Sequence, residues 1–398
     1  MATILIAGAG IAGPALAFWL RATGHDVTLV ERAPALRLGG QAVDLRGAGR
    51  TVVERMGLMD HVRAVALHQD GAAWVDRRGR VVAQMPADAF DGEGFVSEIE
   101  ILRGDLSQVL SDATVGGVEY LFDDTVVALM QDDAGVDITF AAAPPRRFDL
   151  VVGADGLYSA VRALTFGSAA ITPLGCVMAW FTAPAVDDLG GWFLMHNAPG
   201  GRVASVRPGR LPGEAKAGFG LRVDPQARLP RDPAGQRALL DDRFAGLGWR
   251  VPELLDAMKG APDFAFTAVS QVHLPRWWRG RVVLVGDAAA CPTPLTGLGT
   301  SVALVQAYVL AGELAAANGD HRRAFESYEQ VTRPYVALAQ KLPPGGVDGY
   351  APMSAFGIRM GALAMRSMTR WPVRSILERQ FAKASDIALP DYTTCQAG

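Results

Sequence analysis

The chain begins with apolar and small residues and stays uncharged from Ile4 to Leu20. Three architectures can begin this way: a membrane helix, an export signal, or the strand, turn and helix of a nucleotide-binding unit. A membrane helix needs about twenty apolar residues in succession, yet this run ends at Arg21 and has glycines at positions 8, 10 and 13. An export signal places basic residues before its apolar core, and only Met1, Ala2 and Thr3 come first. The third pattern accounts for more of the residues. Residues 3–7 read as a buried parallel strand. Residues 14–23 then read as an apolar helix stopped by Gly24, and residues 25–30 as a second strand closing on Glu31.

Downstream, GGQAVDLRGAGRTVVERMGLMDHV predicts a turn, a short extended stretch and a helix to about Val65. Residues 73–84 predict a hairpin turning at Arg78 and Gly79. Residues 95–102 are extended, and Arg103 opens a helix. Two strand-like runs follow at 119–131 and 136–141, and then FDLVVGADGLYSAVR repeats the opening grammar of strand, small-residue turn and helix start. From 173 to 267 the pattern is mostly strands. Residues 216–224 alternate, with Ala217, Phe219, Leu221 and Val223 on one face, which predicts a half-exposed strand. Helices are expected within 233–259, with Pro252 near the start of the second. Residues 281–285 return to a buried strand ending in Gly286 and Asp287. CPTPLTGLG and helices at 301–317 and about 321–339 come next. The tail, 353–383, reads as helical and broken by Pro372. Arg359, Arg366, Arg370, Arg374 and Lys383 alternate there with Met360, Leu363, Met368 and Leu377. Such a tail suits an amphipathic segment packed across two domains, with a basic membrane-surface helix as the alternative.

Composition narrows the classes. At 398 residues the chain exceeds the roughly 250–300 that one core usually serves, so two domains are expected. Half the residues are hydrophobic and a fifth charged, as in globular proteins. A net charge of −3 argues against a nucleic-acid partner, and no membrane-inserted span is expected. Cys176, Cys291 and Cys395 lie far apart with no C-x-x-C. They point to isolated thiols in a reducing cytoplasm, with neither a disulfide framework nor a bound metal.

The chemistry lies in the glycines. Gly8, Gly10 and Gly13 stand in G-x-G-x-x-G spacing between strand and helix. Such glycines serve a tight turn, close approach of backbone to a pyrophosphate, and close packing of helix on strand. The helix N-terminus offers its N–H groups to the phosphates. Glu31, eighteen residues past Gly13, is placed to accept hydrogen bonds from an adenosine ribose. Ala12 within the turn and Arg32 beside Glu31 join the candidate cofactor residues. The nucleotide grammar is divided along the chain, with GAGIAG at the start, GADG at 153–156 and GD at 286–287. This division predicts one parallel sheet interrupted by an antiparallel insertion.

With that trio in order, followed by P-x-x-G-x-G at 294–299, the chain resembles the single-component FAD-dependent aromatic hydroxylases, the para-hydroxybenzoate hydroxylase fold. It is nearest in style to the compact enzymes that hydroxylate tetracyclines and other polyketides. The resemblance implies an α/β fold: a discontinuous Rossmann-like FAD domain (1–72, 101–170, 275–345), an antiparallel substrate domain (73–100, 171–274) and a C-terminal helical segment, 346–398, bridging the two. It implies that Gly8, Gly10 and Gly13 wrap the FAD pyrophosphate, Glu31 holds the ribose and Arg103 reaches the phosphates or ribose. Asp44 would lie near the flavin, and Arg37 would meet the nicotinamide cofactor. Asp155 and Gly156 would serve FAD and NAD(P)H. Gly286 and Asp287 would meet the ribityl chain, while Gly297, Leu298 and Gly299 would pass the isoalloxazine edge. Many relatives read GDAAH, with Asn two residues after the last glycine and an acid further along, where this chain has Ala290, Ser301 and Gln306. That departure bears on substrate placement and flavin electronics.

The activity implied is reduction of FAD by NADPH or NADH, capture of O2 as a flavin C4a-hydroperoxide, and hydroxylation of an aromatic or polycyclic molecule. The flavin carries that chemistry, and the protein positions and excludes water. Candidate substrate residues are Trp180, Trp192, Met195, Phe219, Leu221, Pro294 and Thr296, with Phe181 and Phe193 beside them, and His196 is the one candidate acid–base group. Two alternatives share the cofactor: a scaffold using FAD structurally for a non-redox cyclisation, and a flavin-dependent reductase or dehydrogenase. The partners expected are a hydrophobic small molecule and O2, in a monomer or homodimer.

Overall fold

The computed structural model describes the chain to Tyr392, apart from residues 38, 93, 96, 168–169, 186–188 and 368–372. Met368, Arg370, the break at Pro372 and Cys395 therefore lie outside the described residues.

Thr3–Ala7 is the centre of a six-stranded sheet because its side chains are buried on both faces, from Ile4 to Ala7. It pairs in parallel with Asp26–Glu31 on one side and Leu150–Gly153 on the other, and Leu150–Gly153 pairs in parallel with Val282–Leu284. Glu119–Phe122 and the short antiparallel Trp278–Arg279 are the edges. The three strands that precede GAGIAG, GADG and GDAA are thus immediate neighbours, and their C-terminal turns stand in a row. Parallel strands buried on both faces are near-continuous apolar runs, which is why they were legible.

Helix Ala12–Ala22 packs against the long helix Gly299–Ala316, which also meets Gly47–Arg55 and His321–Ala339. Among the described residues, Gly299–Ala316 alone is apolar and long enough to cross a membrane by length and composition. Here it is enclosed by its neighbours and forms the centre of the larger core.

The second sheet has seven strands, in the order Ala265–Val272, Ile171–Pro184, Glu214–Arg222, Arg202–Pro208, Trp192–Ala198, Gly71–Val75 and Val81–Pro86. All neighbours are antiparallel except Trp192–Ala198 with Gly71–Val75. One face carries helices Pro233–Phe244 and Val251–Gly260 over a second core that includes Phe219, Leu221, Phe244 and Leu254. The hairpin at Gly79 forms as expected.

Three local expectations change. The run expected at 119–131 divides around Asp123, at φ +57°, into Glu119–Phe122 at the edge of the parallel sheet and Val126–Gln131 in a separate three-stranded sheet. The helix expected to reach Val65 divides into Gly47–Arg55 and Met59–Ala64 around Gly57, whose φ of +71° interrupts it. Strand Glu214–Arg222 is not half-exposed. Its second face carries Gly218 and Gly220, and a Cβ on Gly220 would lie 2.3 Å from the Tyr350 hydroxyl. Residues without side chains mimic an uncovered face in a hydropathy pattern, although here they admit a covering element.

The C-terminal region holds helices Gly346–Tyr350, Ala355–Arg366 and Val373–Phe381. Ala355–Arg366 packs on strands Val81–Pro86 and Trp192–Ala198 of the second sheet. The 3-10 turn Ala382–Ser385 packs on Gly47–Arg55 and His321–Ala339.

Candidate active site

A single cavity of about 900 Å³ runs from the Gly8 turn to the open face of the second sheet. Its cofactor end begins where the sheet's strands stop. A Cβ on Gly13 would stand 2.0 Å from the Gly8 carbonyl oxygen, so helix and strand meet at a distance only glycine allows. Gly8, at φ +107°, likewise leaves no room beside the Ala154 carbonyl. Glu31 closes this turn: its carboxylate accepts from the N–H groups of Ala9 and Ala33, both at 2.9 Å. Each oxygen keeps a second lone pair for a ribose hydroxyl. Gly10 faces the Arg103 guanidinium, 3.1 Å from where a Cβ would stand.

Asp287 follows Gly286 at the third strand end and lines the same cavity. Burial raises its carboxyl above the ordinary range, against the pull of Cys291, Arg103 and Arg162. Asp155 is also raised by burial, and its carboxylate accepts from the Ser159 hydroxyl and from the N–H groups of Ala160 and Val161 at 2.6 and 3.1 Å. It therefore caps helix Ala160–Phe166 while its residue reaches the cavity wall.

The residues that depart from the family pattern have visible tasks. The Gln306 amide oxygen accepts from the Gly286 N–H at 2.7 Å and holds the turn before Asp287. Ser301 donates to the Arg46 carbonyl at 2.9 Å and packs on Gly49. Ala290 is buried in the larger apolar core, behind the cavity.

Arg32, Arg37, Ala12, Gly156, Gly297, Leu298, Gly299, Pro294 and Thr296 all line the cavity, as do Asp44, Trp180 and Met195. Gly13 and Gly286 lie behind it as packing and turn residues. Four expectations are corrected. Strand Trp192–Ala198 turns Phe193, Met195 and Asn197 to the cavity, so Trp192 and His196 point the other way. Trp192 packs on Gly71, while His196 Nδ1 pairs with the Val75 carbonyl at 3.0 Å and its ring stands 5.8 Å from Trp249. Phe219 and Leu221 face the helices, with Phe219 against the Phe244 ring at 4.6 Å. Each strand had one face in the site, and for these four the parity was the opposite one.

The structure adds residues that no motif marked. Strand Arg202–Pro208 contributes Val203, Ser205 and Arg207 to the wall, and Ile171–Pro184 contributes Met178. Arg207 pairs with both Glu100 carboxyl oxygens, at 2.8 and 3.2 Å, and lies over the Phe193 ring at 4.0 Å. Glu100 sits opposite Asp44 in the two-stranded ribbon Ala42–Asp44/Glu100–Leu102. A buried arginine and glutamate 107 residues apart carry no sequence signal until the sheet is known.

A glycine turn fitted to pyrophosphate, an acid bridging that turn, and an aromatic-lined second sheet across a shared cavity define a dinucleotide-binding protein with an adjoining apolar site. Comparison agrees: the model of the FAD binding domain family matches residues 1–341. A flavin-dependent monooxygenase of Legionella longbeachae is 36% identical over 340 residues, covering 85% of this chain and 87% of that protein. The uncharacterized protein Rv1260 of Mycobacterium tuberculosis is 43% identical over 357 residues, covering 89% and 95%. Among solved structures, tetracycline destructase Tet(51) superposes with a TM-score of 0.81 at 34% identity, covering 98% of each chain. The chain belongs to the FAD-binding family of flavin-dependent monooxygenases, and it is an FAD-dependent enzyme of that class.

Proposed function

We propose that the enzyme uses NADPH or NADH and O2 to add one oxygen atom to a hydrophobic polycyclic aromatic or polyketide-like molecule. The observation that carries this reading is the continuity of the cavity. It passes from the Gly8 turn and Asp287 to a wall of Met178, Trp180, Phe193 and Met195 without an intervening partition. Bound FAD supplies the electron transfer and oxygen activation. This chain's residues do the rest. Gly8, Gly10 and Arg103 hold the pyrophosphate, Glu31 the ribose, and Asp287 the ribityl chain. The loop Gly297 to Gly299 is held by the Gly297 N–H on the Pro294 carbonyl and the Leu298 N–H on the Thr296 hydroxyl. This leaves the Gly299 N–H to offer at the start of helix Gly299–Ala316, where the dipole favours negative charge on the flavin. Arg37, at the rim, meets the reductant. The aromatic wall keeps water from the reacting edge, and Pro294 and Thr296 border the substrate. In this reading, segments 1–72, 101–170 and 275–345 serve FAD, while 73–100 and 171–274 serve the substrate.

The name of Tet(51) as a tetracycline destructase supports a polycyclic substrate for this chain. The test is rapid mixing of the NADPH-reduced holoenzyme with oxygenated buffer in the presence of polycyclic phenols. A transient near-ultraviolet band before the oxidised spectrum returns, with a product heavier by one oxygen, is the expected result. A flavin that NADPH and NADH both fail to reduce would replace this reading with the non-redox scaffold. Reduction without oxygen insertion would leave a reductase.

A further inference from the structure

The polar end of the substrate cavity is built from two acids and two arginines. Asp44 and Glu100 are directly opposed in their antiparallel ribbon, an arrangement in which two carboxylates repel. Both line the cavity, together with Arg46 and Arg207. Arg46 lies 2.8 Å from Asp44 and also donates to the Gly94 carbonyl, and Arg207 forms the two-pronged pair with Glu100. Arg207 in turn rests on Phe193, which stacks on Phe95 at 6.4 Å. Asp44 leans the other way: one of its oxygens is 3.0 Å from where a Cβ on Gly297 would stand, in the loop proposed to border the flavin. The cluster thus spans from the flavin loop to the aromatic wall.

We propose that Glu100, facing Asp44 across the ribbon, keeps its proton, and that neutral Glu100 and Arg207 together bind an electron-rich oxygen of the substrate, a keto or enolate oxygen. Two facing carboxyls relieve their repulsion by keeping a proton. Burial raises Glu100 to about 7, with Arg207 opposing and Asp44 reinforcing the shift. The charged groups facing Glu100 are Asp44 from its ribbon partner and Arg207 from the adjoining sheet, with Arg46 behind Asp44. With one proton retained, the cluster has two cations and one anion, so it presents hydrogen-bond donors and a single surplus positive charge. A ligand acceptor oxygen meets both donors. A substrate ending in bare hydrocarbon leaves them unpaired, which is costly in a dry pocket. Substrate class at this end is therefore set by an oxygen function, in addition to the ring system that the aromatic wall selects.

The inference rests on the proposed monooxygenase reading for its substrate, yet its test uses equilibrium signals that do not need turnover. Infrared difference spectra of the apoprotein across neutral pH should show a neutral carboxyl stretch that Glu100→Gln removes. In the FAD-loaded protein, flavin fluorescence titrations with xanthone, a planar ketone that does not ionise, should give weaker binding as pH rises through neutrality. The loss should approach tenfold per pH unit. Glu100→Gln, which stays neutral, should bind xanthone with a flat pH profile, and xanthene, which lacks the keto oxygen, should bind weakly at every pH. The proposal is overturned if Glu100→Gln removes no part of the carboxyl band, if xanthene equals xanthone, or if the variant keeps the wild-type pH slope. Failure of the oxygen-insertion experiment with these signals intact would count against the monooxygenase reading alone.

Discussion

At the residue scale, the cofactor end depends on a few positions where small changes have large effects. Gly13→Ala would force a methyl to within 2.0 Å of the Gly8 carbonyl. Helix and strand must part, so the variant is expected to lose FAD and several degrees of Tm, as flavin retention and a thermal scan will show. Asp287→Ala removes the acid at the third strand end. FAD affinity is expected to fall roughly tenfold to a hundredfold, the scale of a charge-assisted hydrogen bond, read by fluorescence titration; unchanged affinity would remove Asp287 from the cofactor site. Glu100 has a signature of its own in the apoprotein. Its folded-state pKa is raised from 4.5 to about 7, so the folded protein binds the proton more tightly. The associated stability is fully present below about pH 4.5 and is lost as pH rises through about 7. The Tm of wild type relative to Glu100→Gln should therefore fall across that window, and a constant difference would contradict it.

At the element scale, strand parity decides which side chains meet the substrate. Phe219 and Phe193 are both aromatic strand residues, yet one is packed under helix Pro233–Phe244 and the other on the cavity under Arg207. Phe219→Ala is expected to cost about 3–5 kcal/mol of stability, as large-to-small core changes do, with little effect on KM in the folded fraction. Phe193→Ala should do the reverse, raising KM with a smaller loss of stability. Urea unfolding and steady-state kinetics on the two variants separate these outcomes. Alternation along Trp192–Ala198 was visible in the sequence. Which alternate set faced the cavity was not, because a strand covered on both sides offers two apolar faces. The same blindness explains Glu214–Arg222, where glycines that admit Tyr350 looked like an uncovered face.

At the scale of the whole molecule, the cavity lies between two sheets, so a ligand that fills it links them. FAD at about 100 times its Kd is expected to stabilise the native state by about 2.7 kcal/mol, seen as a higher Tm that depends on FAD concentration. Absence of that rise would mean that the cavity does not hold the cofactor. The parallel sheet, the G-x-G-x-x-G turn, Glu31 and the recurrence of strand–turn motifs at GADG and GDAA were determined by sequence alone. Each is a local signal: a buried parallel strand is one apolar run, and a phosphate turn needs its glycines within six residues. The polar cluster of Asp44, Arg46, Glu100 and Arg207, and the choice between the faces of the substrate strands, were decided only by tertiary structure. Their partners are brought together by sheet register across as many as 107 residues, and a one-residue change of register would have turned the other face to the site.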